Sequence, residues 1–586
     1  MPTIADLIVE SLRNSGVRRI YGLPGDSLNG LTDALRRNTD VVWEHVRHEE
    51  AAAFAAAGEA STTGSLAACA GSCGPGNLHL INGLFEAQRS RVPVLAIAAH
   101  IPGSEIGTGY FQETHPEELF RECSIFCELA SSPAQFPHLL NIALRTAVER
   151  SGVSVLVVPG EVLLHRLDGP AQAATVLPSA PIVRPAVAEI ERAAALLNGS
   201  ERITILAGAG CAGAHDQLLR LAGALRAPIV HTMRGKEHVE YDNPYDVGMT
   251  GLLGFASGYR AIEHCDTLLM LGTDFPYRQF LPEDATTIQV DVRGEQIGRR
   301  THVDLPLVGT VRDTIDALLP ELAARQDSKH LDEMRELYTT TRTQLDRLAG
   351  SDRDRTPVHP QYLVKIVDEL ASEDAVFVPD VGSPVVWAAR YLMMNGRRRL
   401  IGSFTHGSMA NAVPQAIGAQ AAFPDRQVVA LSGDGGLAMM LGDLITLKQQ
   451  GHPVKIVVFN NGALSFVELE MKAEGMVNFG TELDNPNFAD VATALGLHGQ
   501  RVEHPSELAD ALRTAFAHPG PALVEVMTAR QELSVPPTIT FDQVKGFALY
   551  AARTMISGRG DELLELARTN VLRRRAPSDR SAKRAG

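Results

Sequence analysis

A chain of 586 residues with 45% hydrophobic and 21% charged residues, 51 Gly and 33 Pro has the composition of a folded protein of two to four domains, which excludes a largely disordered chain. A formal net charge of -15 and the lack of a Lys/Arg stripe interleaved with aromatics exclude a nucleic-acid partner. Six cysteines cannot form a disulfide framework at this length, and the CxxxC spacing of Cys69/Cys73 and Cys123/Cys127 is looser than that of zinc or redox pairs, so they read as reduced and buried.

The opening MPTIADLIVESLRNSGV has the pattern of an amphipathic helix and lacks the basic start and apolar run of a signal peptide. No run of ~20 apolar residues follows, so the body of the protein is expected in the cytoplasm. Over residues 1–167, short apolar segments (RRIYG, VVWEHV, SLAACA, VPVLAIAA) alternate with helical ones (DSLNGLTDALRR, EEAAAFAAAGEA), which predicts a parallel sheet. A Pro/Ala-rich break from Asp168 to Pro185 precedes a second α/β unit over 186–335, with strands RITILAG, TLLMLG and TTIQVDV. A charged helical stretch then leads to SDRDRTPVHP, and a third α/β unit over 356–530 contains AVFVPDVG, QVVALSGDGG, VKIVVFNN and PALVEVM. The expected fold is α/β: three doubly wound parallel-sheet domains, the first and third alike in layout, followed by a C-terminal helical segment.

The third unit carries the strongest chemical signal. A strand at Val428–Leu431 runs into Gly433-Asp434-Gly435, a helix is expected from about Leu437 to Gln450, and a second strand delivers Asn460 and Asn461. The separation of 27 residues between Asp434 and Asn461 suits one right-handed βαβ crossover, so both turns are expected at the same sheet edge, facing one cleft. Glycines let the backbone approach a diphosphate, a helix N-terminus offers N–H groups, and a carboxylate with an amide oxygen is a hard donor set for magnesium. Either turn alone reads as an ordinary tight turn; the pair at this spacing does not.

A GDG turn followed at this distance by NN resembles the signature of thiamine-diphosphate-dependent decarboxylases and oxidases. The resemblance assigns Gly433, Asp434, Gly435, Gly436, Asn461, Ala463, Leu464, Ser465 and Phe466 to the cofactor, with Asp434, Asn461 and the carbonyl of Ala463 as magnesium ligands. Ser465 departs from the Gly usual in the family. Arg47-His48-Glu49-Glu50 resembles the element that sets a protonated carboxyl, here Glu49, beside the aminopyrimidine ring, usually from another subunit. Phe404-Thr405-His406-Gly407-Ser408-Met409 resembles the segment holding the pyrimidine half (Thr405 to Met409), and Gly109-Tyr110-Phe111-Gln112-Glu113 carries the family's catalytic FQ pair, Phe111 and Gln112. Phe466 is placed near the reacting carbon, and Gly25 and His79 are assigned to substrate.

In the middle unit, Gly208-Ala-Gly210-Cys-Ala-Gly213 is a weak GxGxxG match. The segments Gly251, Leu252, Leu253 and Gly254, then Asp274, Phe275, Pro276, Tyr277 and Arg278, then Asp291 and Val292 resemble the FAD-binding pieces of pyruvate oxidases. With RHEE, AGSCGPGNLHLINGL, GYFQETHPEELFREC, HGSMANA and ISGRGDE in order, nearly the whole chain resembles the bacterial quinone-dependent pyruvate dehydrogenases. That resemblance implies oxidative decarboxylation of pyruvate to acetate and CO2 with thiamine diphosphate, Mg2+ and FAD, electrons passing to a membrane quinone. Acetolactate synthase and oxygen-dependent pyruvate oxidase share the same skeleton as alternatives, and a homotetramer, a dimer of dimers, is implied.

Residues 531–575 form the expected membrane-binding segment. In GDELLELARTNVLRRR an apolar stripe (Leu563, Leu564, Ala567, Val571) begins with acids and ends with Arg573 to Arg575. Residues 573–586 carry six cations against Asp579, and 576–586 are expected to be a disordered basic tail. An apolar face with a basic flank suits an anionic lipid surface, which predicts a peripheral protein on the cytoplasmic face of the bacterial cell membrane.

Overall fold

The structure, a computed structural model, describes all residues except 168–171, 352, 531, 533–548, 552, 554–565 and 567–586. The amphipathic C-terminal helix and basic tail expected from the sequence therefore lie outside the described residues, apart from Leu566. No described helix is long and apolar enough to cross a membrane.

Three six-stranded sheets, all parallel, succeed one another along the chain. The first contains β1 (Arg19–Gly22), β2 (Val42–His45), β3 (Ala67–Gly71), β4 (Val94–His100), β5 (Phe126–Leu129) and β6 (Val153–Pro159), in the order β2-β1-β3-β4-β6-β5. The second contains β7 (Ile203–Ala207), β8 (Ile229–His231), β9 (Asp246–Met249), β10 (Thr267–Leu271), β11 (Thr286–Asp291) and β12 (Leu305–Val308), in the order β12-β11-β10-β7-β8-β9. The third contains β13 (Val376–Pro379), β14 (Arg399–Leu400), β15 (Val428–Gly433), β16 (Lys455–Asn460), β17 (His498–Val502) and β18 (Ala522–Met527), in the order β14-β13-β15-β16-β18-β17.

Renumbered from their own starts, the first and third sheets have one and the same strand order, which is the kinship the sequence layout suggests. The second has the order of dinucleotide-binding folds, with its switch point between β7 and β10. Central strands such as β4 and β6 are buried along their whole length, which accounts for their unbroken Val/Ile/Leu/Ala runs. One expected element differs: the helix after the GDG turn is two helices, Asp434–Met439 and Leu444–Gln450, with a 3-10 turn between them. Asp443 in that turn accepts the backbone N–H of Arg47 at 2.9 Å, so the break lets the first domain dock.

The first and third domains meet through helices Glu49–Thr63 and Ala412–Ala422. The former starts with acids at its positive dipole end and stops at Gly64, which takes the left-handed conformation a C-cap needs. The two helices cross with glycines facing carbonyls: a Cβ on Gly418 would lie 1.8 Å from the oxygen of Ala55, and one on Gly58 2.2 Å from that of Gln415. Arg399 ties all three domains together. Its guanidinium donates to the carbonyls of Thr62 (2.6 Å) and Ser61 (3.1 Å) of the first domain and to Glu237 Oε2 of the second (2.9 Å). Arg399→Ala is expected to cost about 2 kcal/mol in denaturant unfolding, with little recovery in Arg399→Lys, whose three donors sit on one nitrogen and cannot reach acceptors spread around a planar guanidinium.

Candidate active site

The turn after β3, residues 71–77, collects most of the first domain's predicted residues. Gly25 abuts it so closely that a Cβ there would lie 2.2 Å from Ser72 Oγ. Ser27 Oγ accepts the N–H of Cys73 at 3.0 Å. A Cβ on Gly76 would lie 3.0 Å from Glu49 Oε1, so this glycine leaves room for the carboxyl. Glu49 itself is 5% exposed at the start of its helix, with Oε2 2.9 Å from His79 Nδ1. The His79 ring stacks on His48 at 4.2 Å. The helix after the turn thus brings His79 to Glu49.

Phe111, 79% exposed, and Gln112 occupy a loop organised by Glu113. The Glu113 carboxylate accepts N–H groups from Gly107, from Gly109 at 2.6 Å and from Tyr110 at 3.0 Å. The bond from Gly107 leads the effects that hold its carboxyl below the usual carboxylate range. With the folded value lowered, the clamp is present above that range and is lost as pH falls through the lowered value. Glu113→Gln is expected to raise KM severalfold with kcat nearly unchanged and thermal stability retained, because only the loop loses its anionic acceptor.

The second group of residues surrounds β15 and β16, adjacent and in register from Val429/Lys455 to Gly433/Phe459. Their two turns face one another as the spacing predicts. Asp434 Oδ2 accepts the N–H of Asn461 (3.1 Å), the N–H of Gly462 (2.8 Å) and the amide of Asn485 (2.9 Å). Burial leads the effects that raise the Asp434 carboxyl above its usual range, opposed by those N–H donors. Asn461 Oδ1 accepts from Ala463 N–H at 3.0 Å, and Asn461 Nδ2 donates to Ser465 Oγ at 3.1 Å. Ser465, the departure from the family pattern, therefore holds the amide nitrogen of Asn461 and leaves its oxygen turned to the loop.

Gly435 and Gly436 admit nothing larger: a Cβ would lie 2.8 Å from Leu464 and 1.8 Å from Asp380 Oδ2. Oxygen donors on Asp434, Asn461 and Ala463 beside this tight glycine backbone fit a divalent ion and a diphosphate. Met409 reaches the same place, its Cε 3.5 Å from a Cβ on Gly435. His406 and Ser408 instead face the first domain: His406 Nε2 is 2.8 Å from Asn82 Oδ1, and Asn82 Nδ2 donates to Ser408 Oγ at 3.0 Å. The contacts of Glu49 and those of Asp434 form two separate groups within the one chain.

A cleft of about 700 Å³ runs from the central domain to the third. Gly251, Leu252, Leu253, Asp274, Phe275, Pro276, Tyr277, Asp291 and Val292 line it, and its far end is walled by Thr405, Gly407 and Phe466. Gly254 and Arg278, assigned to the same ligand, do not line it. A Cβ on Gly254 would lie 2.5 Å from the Met249 carbonyl oxygen, and Arg278 Nε donates to the carbonyl of Arg300 at 2.9 Å. Ala209 and Gly210 of the weak glycine motif do line it, pressed so close to Gly272 that a Cβ on Gly210 would lie 2.6 Å from its α-carbon. Five arginines (89, 91, 234, 293, 300) make the wall cationic, and the buried Thr250 hydroxyl has no partner, as a wall shaped for an anionic dinucleotide would leave it.

Two further residues have positions that sequence reasoning overlooked. Asp380, fully buried at the end of β13, accepts the N–H of Asn411 at 3.1 Å, and burial pushes its carboxyl up to about 7. Asn485 bridges Asp434 and Asn460, donating to both. A polar pair following a strand, Asp380-Val-Gly382, was the available signal for the first; nothing local marks the second.

Three descriptions from known families match successive parts of the chain. They are the thiamine pyrophosphate enzyme N-terminal TPP binding domain over 2–119, its central domain over 190–318 and its C-terminal TPP binding domain over 380–526. An uncharacterized 42.6 kDa protein of Pseudomonas amyloderamosa is 61% identical over 60% of this chain and 90% of its own. The putative thiamine pyrophosphate-containing protein YdaP of Bacillus subtilis is 34% identical over 97% of this chain and 98% of its own. Pyruvate oxidase of Lactiplantibacillus plantarum is 28% identical over 89% and 87% respectively. Acetolactate synthases match at a comparable level, 30% for the Escherichia coli isozyme 2 large subunit.

Proposed function

Because the chain belongs to the thiamine pyrophosphate enzyme family, we propose that it oxidises pyruvate to acetate and CO2, water releasing the acetate, with FAD as the immediate two-electron acceptor and a membrane quinone as the final one. The observation that carries this reading is the cleft of about 700 Å³ that joins the residues resembling flavin-binding segments to Thr405, Gly407 and Phe466 of the third domain. A two-electron carrier lying there would reach the decarboxylation site without leaving the protein.

Thiamine diphosphate supplies the electron sink for decarboxylation when bound, and FAD the two-electron acceptor. The chain's own part is positional and electrostatic. Asp434, Asn461 and the Ala463 carbonyl would hold Mg2+ for the diphosphate, and Met409 and Phe466 would exclude water around the reacting end. Glu49 would set its carboxyl against the aminopyrimidine ring, with His79 Nδ1 2.9 Å from its other oxygen. By analogy with the family, the complete site would combine Glu49 of one protomer with Asp434 of another in a homotetramer. Quinone access is assigned to the C-terminal segment, whose apolar stripe and basic flank suit an anionic lipid surface of the cytoplasmic membrane.

The decisive experiment adds pyruvate anaerobically to the flavin-loaded protein. Bleaching of the flavin, followed by faster reoxidation with a quinone than with oxygen, is the expected result; faster reoxidation with oxygen would instead identify an oxygen-dependent oxidase. The similarity to acetolactate synthases supports a second reading. Acetolactate formed in quantity without flavin bleaching would replace the first reading by that one.

A further inference from the structure

The catalytic loop ends in a contact that no part of the reaction scheme above uses. Cys73, 5% exposed in the turn after β3, has its Sγ 3.3 Å from Gln112 Oε1. The backbone of Cys73 is held as well, since its N–H donates to Ser27 Oγ at 3.0 Å. Gln112 has φ +63°, a left-handed conformation that a side chain of this size seldom adopts. Its neighbour across the gap is Gly74, where a Cβ would lie 2.8 Å from both the β-carbon and the carbonyl oxygen of Gln112. The loop on the far side is fastened by the Glu113 carboxylate through Gly107, Gly109 and Tyr110. The backbone of Gln112 is thereby fixed, and the freedom that matters is the half-turn of its carboxamide, which decides whether oxygen or nitrogen faces outward.

We propose that Cys73 is a positioning residue for Gln112: the thiol donates to the carboxamide oxygen and so leaves the NH2 group as the end presented to substrate. The inference rests on the 2-oxo-acid reading above and names the role of one more residue in that site. A thiol is a weak donor and a weaker acceptor, so it selects the amide oxygen. A 2-oxo acid offers only acceptors at its carboxylate and its carbonyl. The end left outward is therefore the end that such a substrate can use. Had an acceptor stood at position 73, the amide would turn its nitrogen inward and show the substrate a repelling oxygen.

The test is a double-mutant cycle on the full-length holoenzyme with pyruvate, using Cys73→Ala, Gln112→Ala and the pair. Cys73→Ala alone should raise KM about fivefold, the effect of one lost hydrogen bond, with kcat little changed. In the Gln112→Ala background it should add nothing, and Cys73→Ser, which restores a donor, should recover part of the loss. Losses that multiply in the double variant, or a serine variant no better than alanine at equal thermal stability, would overturn the proposal. A second measurement is independent of turnover: iodoacetamide labelling of Cys73, followed by peptide mass, should be faster in Gln112→Ala than in the wild type. An equal rate there refutes the contact. Failure of wild-type pyruvate turnover refutes the functional reading alone, and the labelling result still decides the contact.

Discussion

Glu49→Gln is expected to lower pyruvate turnover by roughly three orders of magnitude, the scale of losing a positioned proton-transfer group. The substitution keeps size and one hydrogen-bonding oxygen, so the helix start and the contact with Gly76 survive. What is lost is a carboxyl that can hold or release a proton. The 2.9 Å partner, His79 Nδ1, then faces an amide with no proton to exchange. Stopped-flow bleaching of the flavin measures the step directly, and thermal unfolding checks that stability is unchanged. A loss smaller than about tenfold would remove Glu49 from proton transfer and leave it a merely structural helix-start acid.

The second large effect is structural. Gly418→Val is expected to destabilise the protein by about 3 kcal/mol or more, at the upper end of overpacking effects. A Cβ at this position would lie 1.8 Å from the Ala55 carbonyl, which is backbone inside a buried helix and has no rotamer to move to. The two helices must separate, and with them the first and third domains. The two tryptophans report on each side, Trp43 in β2 and Trp387 in the helix Ser383–Tyr391. Denaturant unfolding followed by fluorescence should show an earlier onset in the variant, and an unchanged midpoint would mean that the helices do not pack as described.

What the chain discloses before folding follows from how local each signal is. The GDG turn, the Asn pair and the strands around them are written in consecutive residues, so their position at one sheet edge was legible from spacing alone. The segments that resemble flavin-binding pieces are also consecutive residues, and nine of their eleven residues line one cleft. Gly254 and Arg278 belong to the same segments but turn away, because a motif specifies a stretch of chain and not the side each residue takes. Asp380, Asn485 and the pairing of Cys73 with Gln112 were not legible. Each depends on a meeting between segments distant in sequence, 39 residues apart for Cys73 and Gln112, and no periodicity encodes such a meeting. The short strand Arg399–Leu400 escaped notice for another reason: it is two residues long and basic at its start, and it exists because β13 offers it an edge.

The identical strand order of the first and third sheets allows their turns to be paired place by place. The turn after β3, with Ser72, Cys73 and Gly76, stands where the third domain has Gly433, Asp434 and Gly436 after β15. The segment after β2, with Glu49, stands where the third domain has Thr405 to Met409 after β14. For protein engineering this makes the two domains one chassis fitted with two sets of interchangeable tips. The domains differ at matched positions by a few residues of each tip, so exchange of tips between the domains is the natural unit of redesign, while the sheets beneath are left alone.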